Sequence, residues 1–225
     1  MKILKIQTAL FTKNLNISDD YAKSEILIEI KKDIAAIFDG NPNIIPIPND
    51  APAEIPRIIL NSKNSSYSCN ISLNRTDVFL NKQEEPNGDI LDKQKENVSK
   101  IFNFIKNRGA IINRIGFVVF YEEENEDNIN FIKSNYLKDG ILDDLKELVI
   151  RYNKEETSLA EISNLNNIIE ISALKNKKII NFFTDINTLA ENMAEKNFDY
   201  ANFEKIIDFA ISANKKISSA FPAIK

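Results

Sequence analysis

From Lys2 to Phe11 apolar and polar positions alternate, with Leu4, Ile6, Thr8 and Leu10 on one side and Lys5, Gln7 and Ala9 on the other. A period of two predicts a half-buried first strand. The period then lengthens. After Ser18, Asp19 and Asp20, which offer a cap, Ile26, Ile30, Ile34, Ile37 and Phe38 recur at helical spacing and predict a helix stopped by Gly40. Asn41 to Pro56 breaks both periods. It holds Pro42, Pro46, Pro48, Pro52 and Pro56, five of the seven prolines of the chain, and prolines at that density fix φ and remove donors. The segment is expected to be an extended, rigid connection. Ile44, Ile45, Ile47 and Ile55 predict that it lies against the chain's own core; the alternative is a ligand for an aromatic-lined groove.

Arg57 to Asn61 and Tyr67 to Asn74 predict a hairpin across Lys63, Asn64 and Ser65, with Tyr67, Cys69, Ile71 and Leu73 inward. Asp77 to Leu80 adds a short strand and Glu84 to Gly88 a turn. From the cap candidate Asp89, the positions Ile90, Val98, Ile101, Phe102 and Ile105 mark an amphipathic helix that ends at Gly109. Ile111 to Tyr121, IINRIGFVVFY, is a nearly unbroken apolar run closed by the charged stretch EEENED, which predicts a strand buried on both faces.

Beyond that strand the order starts again. Asn128 to Leu148 carries Ile129, Ile132, Leu137, Leu142 and Leu145 in helical or broken-helical spacing around Gly140. Leu148 to Tyr152, Ile168 to Leu174 and Ile179 to Ile186 predict strands, and Asn202 to Phe221 a long amphipathic helix. The expected class is α+β, with antiparallel sheet or sheets and helices packed on one face. Residues 1–109 and 110–225 are expected to form two β-α-β-β-β-α halves packed as one compact unit. A duplicated β-α-β(3-4)-α unit is one reading of the repeat, although residue identity between the halves is negligible.

Composition mostly removes possibilities. The 225 residues contain no histidine, which takes away the usual general base at neutral pH and the commonest metal ligand, and with them Ser-His, Cys-His and His-metal chemistry. The five glycines, Gly40, Gly88, Gly109, Gly116 and Gly140, are too scattered for a phosphate-cradling loop or a dinucleotide fingerprint. The lone Cys69 allows no internal disulfide and no cysteine-cluster metal site, and it fits a reducing compartment, for which cytoplasm is the expectation. The segment Met1 to Thr12 is too short and too charged for a signal peptide, and no run approaches the roughly 18 to 20 apolar residues of a membrane span. A formal net charge of -4 advertises neither nucleic acid nor a membrane surface.

Some residues invite a chemical reading beside a structural one. Glu122, Glu123 and Glu124, with Glu126 and Asp127, form the densest acidic run at a strand end, a common place for a divalent cation. Consecutive carboxylates splay, so a solvated strand end is the plainer reading unless a distant acid such as Asp185 joins them. Asp185, Asn187 and Thr188 read first as the cap of a following segment, and otherwise as a pocket wall. Arg57 and Arg75 stand on or beside neighbouring strands, where arginine's rigid fork suits an anion; the plainer reading has each pin a carboxylate such as Glu54 or Asp77. Arg108 and Arg114 are similar. Without a histidine or adjacent base, Cys69 reads as a small core residue.

The segments IPIPNDAPAEIPRIIL, SCNISLNR, RIGFVVFY and FFTDINT, with a closing helix ending KKISSAF, carry a resemblance in their order. From Ile45 onward the chain resembles a sporadically distributed group of uncharacterised bacterial proteins of similar size, with a Pro-rich approach to an "eiPR" strand, a polar "isxnR" strand and a late "DINT" strand end. The resemblance implies a soluble bacterial protein with no catalytic residues to carry over. The patchy distribution implies a mobile-element or phage-defence setting.

Three functions follow as expectations. The first is a non-catalytic interaction module that binds another protein or a second copy of itself through sheet faces, edges or the last helix, with no cofactor. The second is a metal-dependent nuclease or phosphotransferase using Glu122 to Asp127 with Asp185 and a lysine. The third is a nucleic-acid-binding curved sheet, which rests on the apparent duplication and which the acidic balance opposes.

Overall fold

The computed structural model describes residues 1–17, 19–34, 36–48, 50–81, 89–137, 144–191 and 193–220. The expected turn at Glu84 to Gly88, and Gly140 and Leu142 of the broken helix, lie outside these. Nine antiparallel strands and four helices occur among the described residues. In chain order they are β1 (Lys2–Lys13), α1 (Asp20–Asp33), β2 (Asn43–Ile44), β3 (Ile58–Asn61), β4 (Tyr67–Ile71), β5 (Arg75–Asn81), α2 (Ile90–Asn107), β6 (Ile111–Glu124), α3 (Asn128–Tyr136), β7 (Glu147–Glu156), β8 (Leu165–Leu174), β9 (Ile179–Thr188) and α4 (Tyr200–Ala220). No described helix is long and apolar enough to cross a membrane.

The strands form one sheet in the order β2-β3-β4-β5-β1-β6-β9-β8-β7. β1 and β6 lie at the centre; after each the chain crosses through a helix and returns by hairpins, four strands after α1 where three were expected and three after α3, until β5 pairs with β1 and β9 with β6. The halves meet where β1 pairs antiparallel with β6.

Strand side chains alternate between two environments. On one face Ile6, Leu10, Cys69, Ile71, Val78, Ile115, Phe117, Val119, Tyr121, Phe182 and Ile186 are buried beneath helices. Polar contacts fix the helices there. Gln94 of α2 donates to Thr8 Oγ1 and to the Val78 carbonyl, both at 3.1 Å. Asn214 of α4 accepts from Tyr121 and from Thr184, and Asn128 of α3 donates to the carbonyls of Leu174, Lys177 and Ile179. Arg108, at the end of α2, holds α1 through Glu29 at 2.5 Å.

Several expectations change in detail. The side chain of Asp19 caps α1 by accepting from Ala22 N–H, but the helix ends at Asp33; Ile37 and Phe38 are buried in the turn that follows. Gly40 serves close approach rather than termination: its N–H donates to the Asn61 carbonyl at 2.9 Å, and an added Cβ would stand 2.5 Å from that oxygen. Gly109, at φ 76, does follow the end of α2 as expected. The proline segment is fixed by backbone bonds from Ile45 N–H to Arg57 and from Leu73 N–H to Ala53, while its isoleucines are only half-buried and Ile55 is 37% exposed. β6 is covered on one face only, since Val118 and Phe120 are half-exposed. Its unbroken apolar run reflects crowding between two long neighbours, not a second layer.

Candidate binding face of the sheet

The face away from the helices carries the side chains that alternation leaves over. In β6 these are Arg114, Gly116, Val118, Phe120 and Glu122. Register sets Phe11, Ala9, Gln7 and Lys5 of β1 beside the first four, and Asn187, Asp185, Phe183 and Asn181 of β9 beside the last four. Beyond β1, Arg75, Asp77 and Phe79 of β5 line up with Phe11, Ala9 and Gln7.

A polar band crosses this face. Asp77, 5% exposed, accepts from Arg75 Nε at 2.7 Å and from Gln7 Nε2 at 2.8 Å. The guanidinium groups of Arg75 and Arg114 lie 5.7 and 4.9 Å from the centre of the Phe11 ring. Arg114 donates onward to Asn187 Oδ1 at 3.1 Å and to the Thr188 carbonyl at 3.2 Å, and Asn187 donates to Asp185 Oδ1 at 2.9 Å. Lys5 stands 4.2 Å from the Phe79 ring. Toward β7 lies a hollow of about 480 Å³, lined by Phe120, Phe183, Ser172, Asn181, Asp185 and an ion pair of Arg151 with Glu170 at 3.6 Å. The Phe120 and Phe183 rings are 5.2 Å apart. The rings, cations and acids of this face hold one another in place.

The expected acidic cluster does not assemble. Glu122 and Glu124 point to the open face, whereas Glu123 points to the other and pairs with the amino terminus of Met1. Glu122 faces Asn181 across the ladder while Asp185 faces Val118. That offset of four residues is roughly 13 Å along the strands. Glu126 pairs with Lys178, and among the described residues no group of three or more acidic or cysteine side chains is placed to hold a metal ion. Asp185, Asn187 and Thr188 do not cap a following segment. They lie within β9, and Thr188 Oγ1 accepts from Ile115 N–H at 3.0 Å. Cys69 is fully buried, and burial pushes its thiol well above the ordinary range, so it is no nucleophile.

The two arginines part company. Arg75 pins Asp77, as the plainer reading has it. Arg57 pins no carboxylate among the described residues: it is 3% exposed, Nη2 donates to the Ala51 carbonyl at 3.3 Å, and Nη1 is buried without a partner. A buried cation so poorly satisfied opposes folding. Arg57→Met, which keeps the apolar stem, is therefore expected to raise unfolding free energy by about 1 to 3 kcal/mol, read from the urea midpoint. A loss of stability would mean that the guanidinium has an acceptor.

Sequence reasoning passed over Gln7, Phe11, Phe79, Phe120, Phe183 and Arg151. The alternation in β1 already placed Lys5 and Gln7 opposite the buried set, and carrying that parity across the sheet would have gathered most of the face.

No protein-family model and no curated protein matches the sequence. Among solved structures the chain is similar to Methanococcus jannaschii TBP, at 12% identity, covering 94% of this chain and 98% of that one with a TM-score of 0.31. That likeness is too loose to bear on what the chain does.

Proposed function

We propose that the chain is a non-catalytic interaction module whose uncovered sheet face receives another protein. The observation that carries this reading is the face itself: Phe11, Phe79, Phe120 and Phe183, all half-exposed, interleaved with Arg75, Arg114 and Arg151. Aromatic residues and arginine are the types enriched at the centres of protein interfaces. The hollow beside Phe120 and Phe183 suits one anchoring side chain. The charge balance favours protein over nucleic acid, because Arg75 is matched by Asp77 and Arg151 by Glu170. No unbroken positive stripe remains for a phosphate backbone. The metal-dependent reading finds no support in acids that face different ways.

Photo-crosslinking tests the proposal in the cell that makes the protein. A benzophenone side chain at Val118, in the middle of the face, is expected to give one discrete protein adduct, and the same group at Ser212, on the exposed side of α4, none. Identical patterns at both positions, or none at Val118, would remove the reading. Retardation of DNA or RNA at low salt that fades as salt rises would replace it with nucleic-acid binding.

A further inference from the structure

The two edges of the sheet are built differently. At one, β2 is two residues long and flanked by Pro42 and Pro46, with Pro48, Pro52 and Pro56 close behind; a proline has no N–H to give a ladder. At the other, β7 runs for ten residues, pairs along its whole length with β8, and has no strand on its outer side among the described residues. Lys146 accepts from Lys175 N–H, so the even-numbered residues of this ladder turn their backbone groups toward β8. Glu147, Val149, Arg151, Asn153 and Glu155 turn theirs outward. On this edge Val149 is 49% and Tyr152 46% exposed, apolar bulk that a finished edge would not display.

We propose that β7 pairs antiparallel with β7 of a second copy of this chain, about a two-fold axis at Val149, joining two sheets into one. An axis that reverses a strand and keeps its faces stands normal to the sheet, so residues equally distant from Val149 on either side meet. Glu147 then faces Arg151 of the partner subunit, and the symmetric pair repeats the contact. Leu148 faces Ile150 of the partner subunit, and Val149 faces Val149 of the partner subunit. From Glu147 to Arg151 opposite charges and apolar side chains match, each such pair favouring the register. The outward backbone groups of Glu147, Val149 and Arg151 fall into hydrogen-bonded pairs. An axis at Arg151 would oppose Arg151 to itself and Glu147 to Glu155. One at Ile150 would oppose Lys146 to Lys154, and one at Asn153 would leave Val149 uncovered and set Ile150 against Glu156. The pairing uses the edge and shares Arg151 with that face, so the Val149→Cys crosslink, at a residue outside the named face, tests it separately from the reading of that face.

The full chain tests it. Light scattering is expected to give twice the 25.6 kDa of one chain. Val149→Cys should form a disulfide-linked dimer under mild oxidation, because Cα atoms of a hydrogen-bonded antiparallel pair stand about 5.5 Å apart, within disulfide reach. Asn153→Cys should not, and native Cys69 is buried out of contention. Arg151→Glu sets like charges opposite each other twice and is expected to raise the dimer Kd about tenfold or more, while Glu147→Arg with Arg151→Glu restores it. Arg151 lies at the surface, so these exchanges leave the fold intact. A mass of one chain at every concentration, a dimer indifferent to Arg151→Glu, or crosslinking through Asn153→Cys in place of Val149→Cys would each overturn the proposal.

Discussion

Asn214→Leu is expected to lower unfolding free energy by about 3 to 4 kcal/mol, with no change in the helix content of the native state. Asn214 is fully buried in α4, and its amide oxygen accepts from Tyr121 and Thr184, each at 2.7 Å, while its nitrogen donates to the Ala210 carbonyl at 2.8 Å. Leucine fills the space but accepts nothing. Two hydroxyls are then left in an apolar layer, each at roughly 1 to 3 kcal/mol. Tyr121 is 1% exposed, and burial pushes its hydroxyl up to about 12. The loss comes from orphaned partners, so replacing all three should be gentler than replacing one. Asn214→Leu combined with Tyr121→Phe and Thr184→Val is expected to recover at least half of the stability. Urea midpoints across this cycle decide the matter, and a triple variant no better than the single one would show that the network does more than satisfy itself.

Phe203→Ala is expected to cost about 3 to 5 kcal/mol, and Phe203→Leu less than about 1.5. The Phe203 ring stacks on Phe102 of α2 at 4.6 Å, both fully buried, and Tyr200 closes the cluster at 5.9 and 6.1 Å from the two rings. This is the apolar joint between the last helices of the two halves. Surface pairs also bridge α2 and α4: Lys95 with Asp208 at 2.6 Å and with Glu204 at 4.0 Å, and Lys215 with Asp92 at 3.1 Å. Exposed pairs of this kind contribute less than about 1 kcal/mol. Lys95→Ala therefore makes the control: a loss as large as that of Phe203→Ala would put the joint in the charges and not in the rings.

How far these features could be read from the chain depends on what each is made of. Periodicity carried the strands and helices whose burial is one-sided: Ile6 and Leu10 in β1, Tyr67, Cys69 and Ile71 in β4, and Val98 to Ile105 in α2 stand where alternation or helical spacing put them. It failed where burial and regularity part. Ile37 and Phe38 continue the helical spacing of α1, yet they fill the core from a turn, because burial constrains a side chain and not its backbone. β7 reaches Glu156 and β6 reaches Glu124, beyond their apolar stretches, because a ladder is a backbone property that charged side chains tolerate at a rim. Three residues of FFTDINT that resembled a cap continue β9 for the same reason. The open face was hardest to read, since its content lies in register between strands far apart in sequence. Gln7 meets Asp77 and Arg114 meets Asn187 only once β1, β5, β6 and β9 are laid side by side.

The contrast between the two margins of the sheet limits what association can build. A flat strand open at both ends of a sheet is a template for indefinite growth, and each added molecule exposes a fresh copy of the same template. Here the margin beside Pro42 and Pro46 is barred to further strands. Any union at the far margin therefore consumes the growing end that the described strands leave to each molecule. Assembly by that route closes at a pair, and fibres cannot propagate from it.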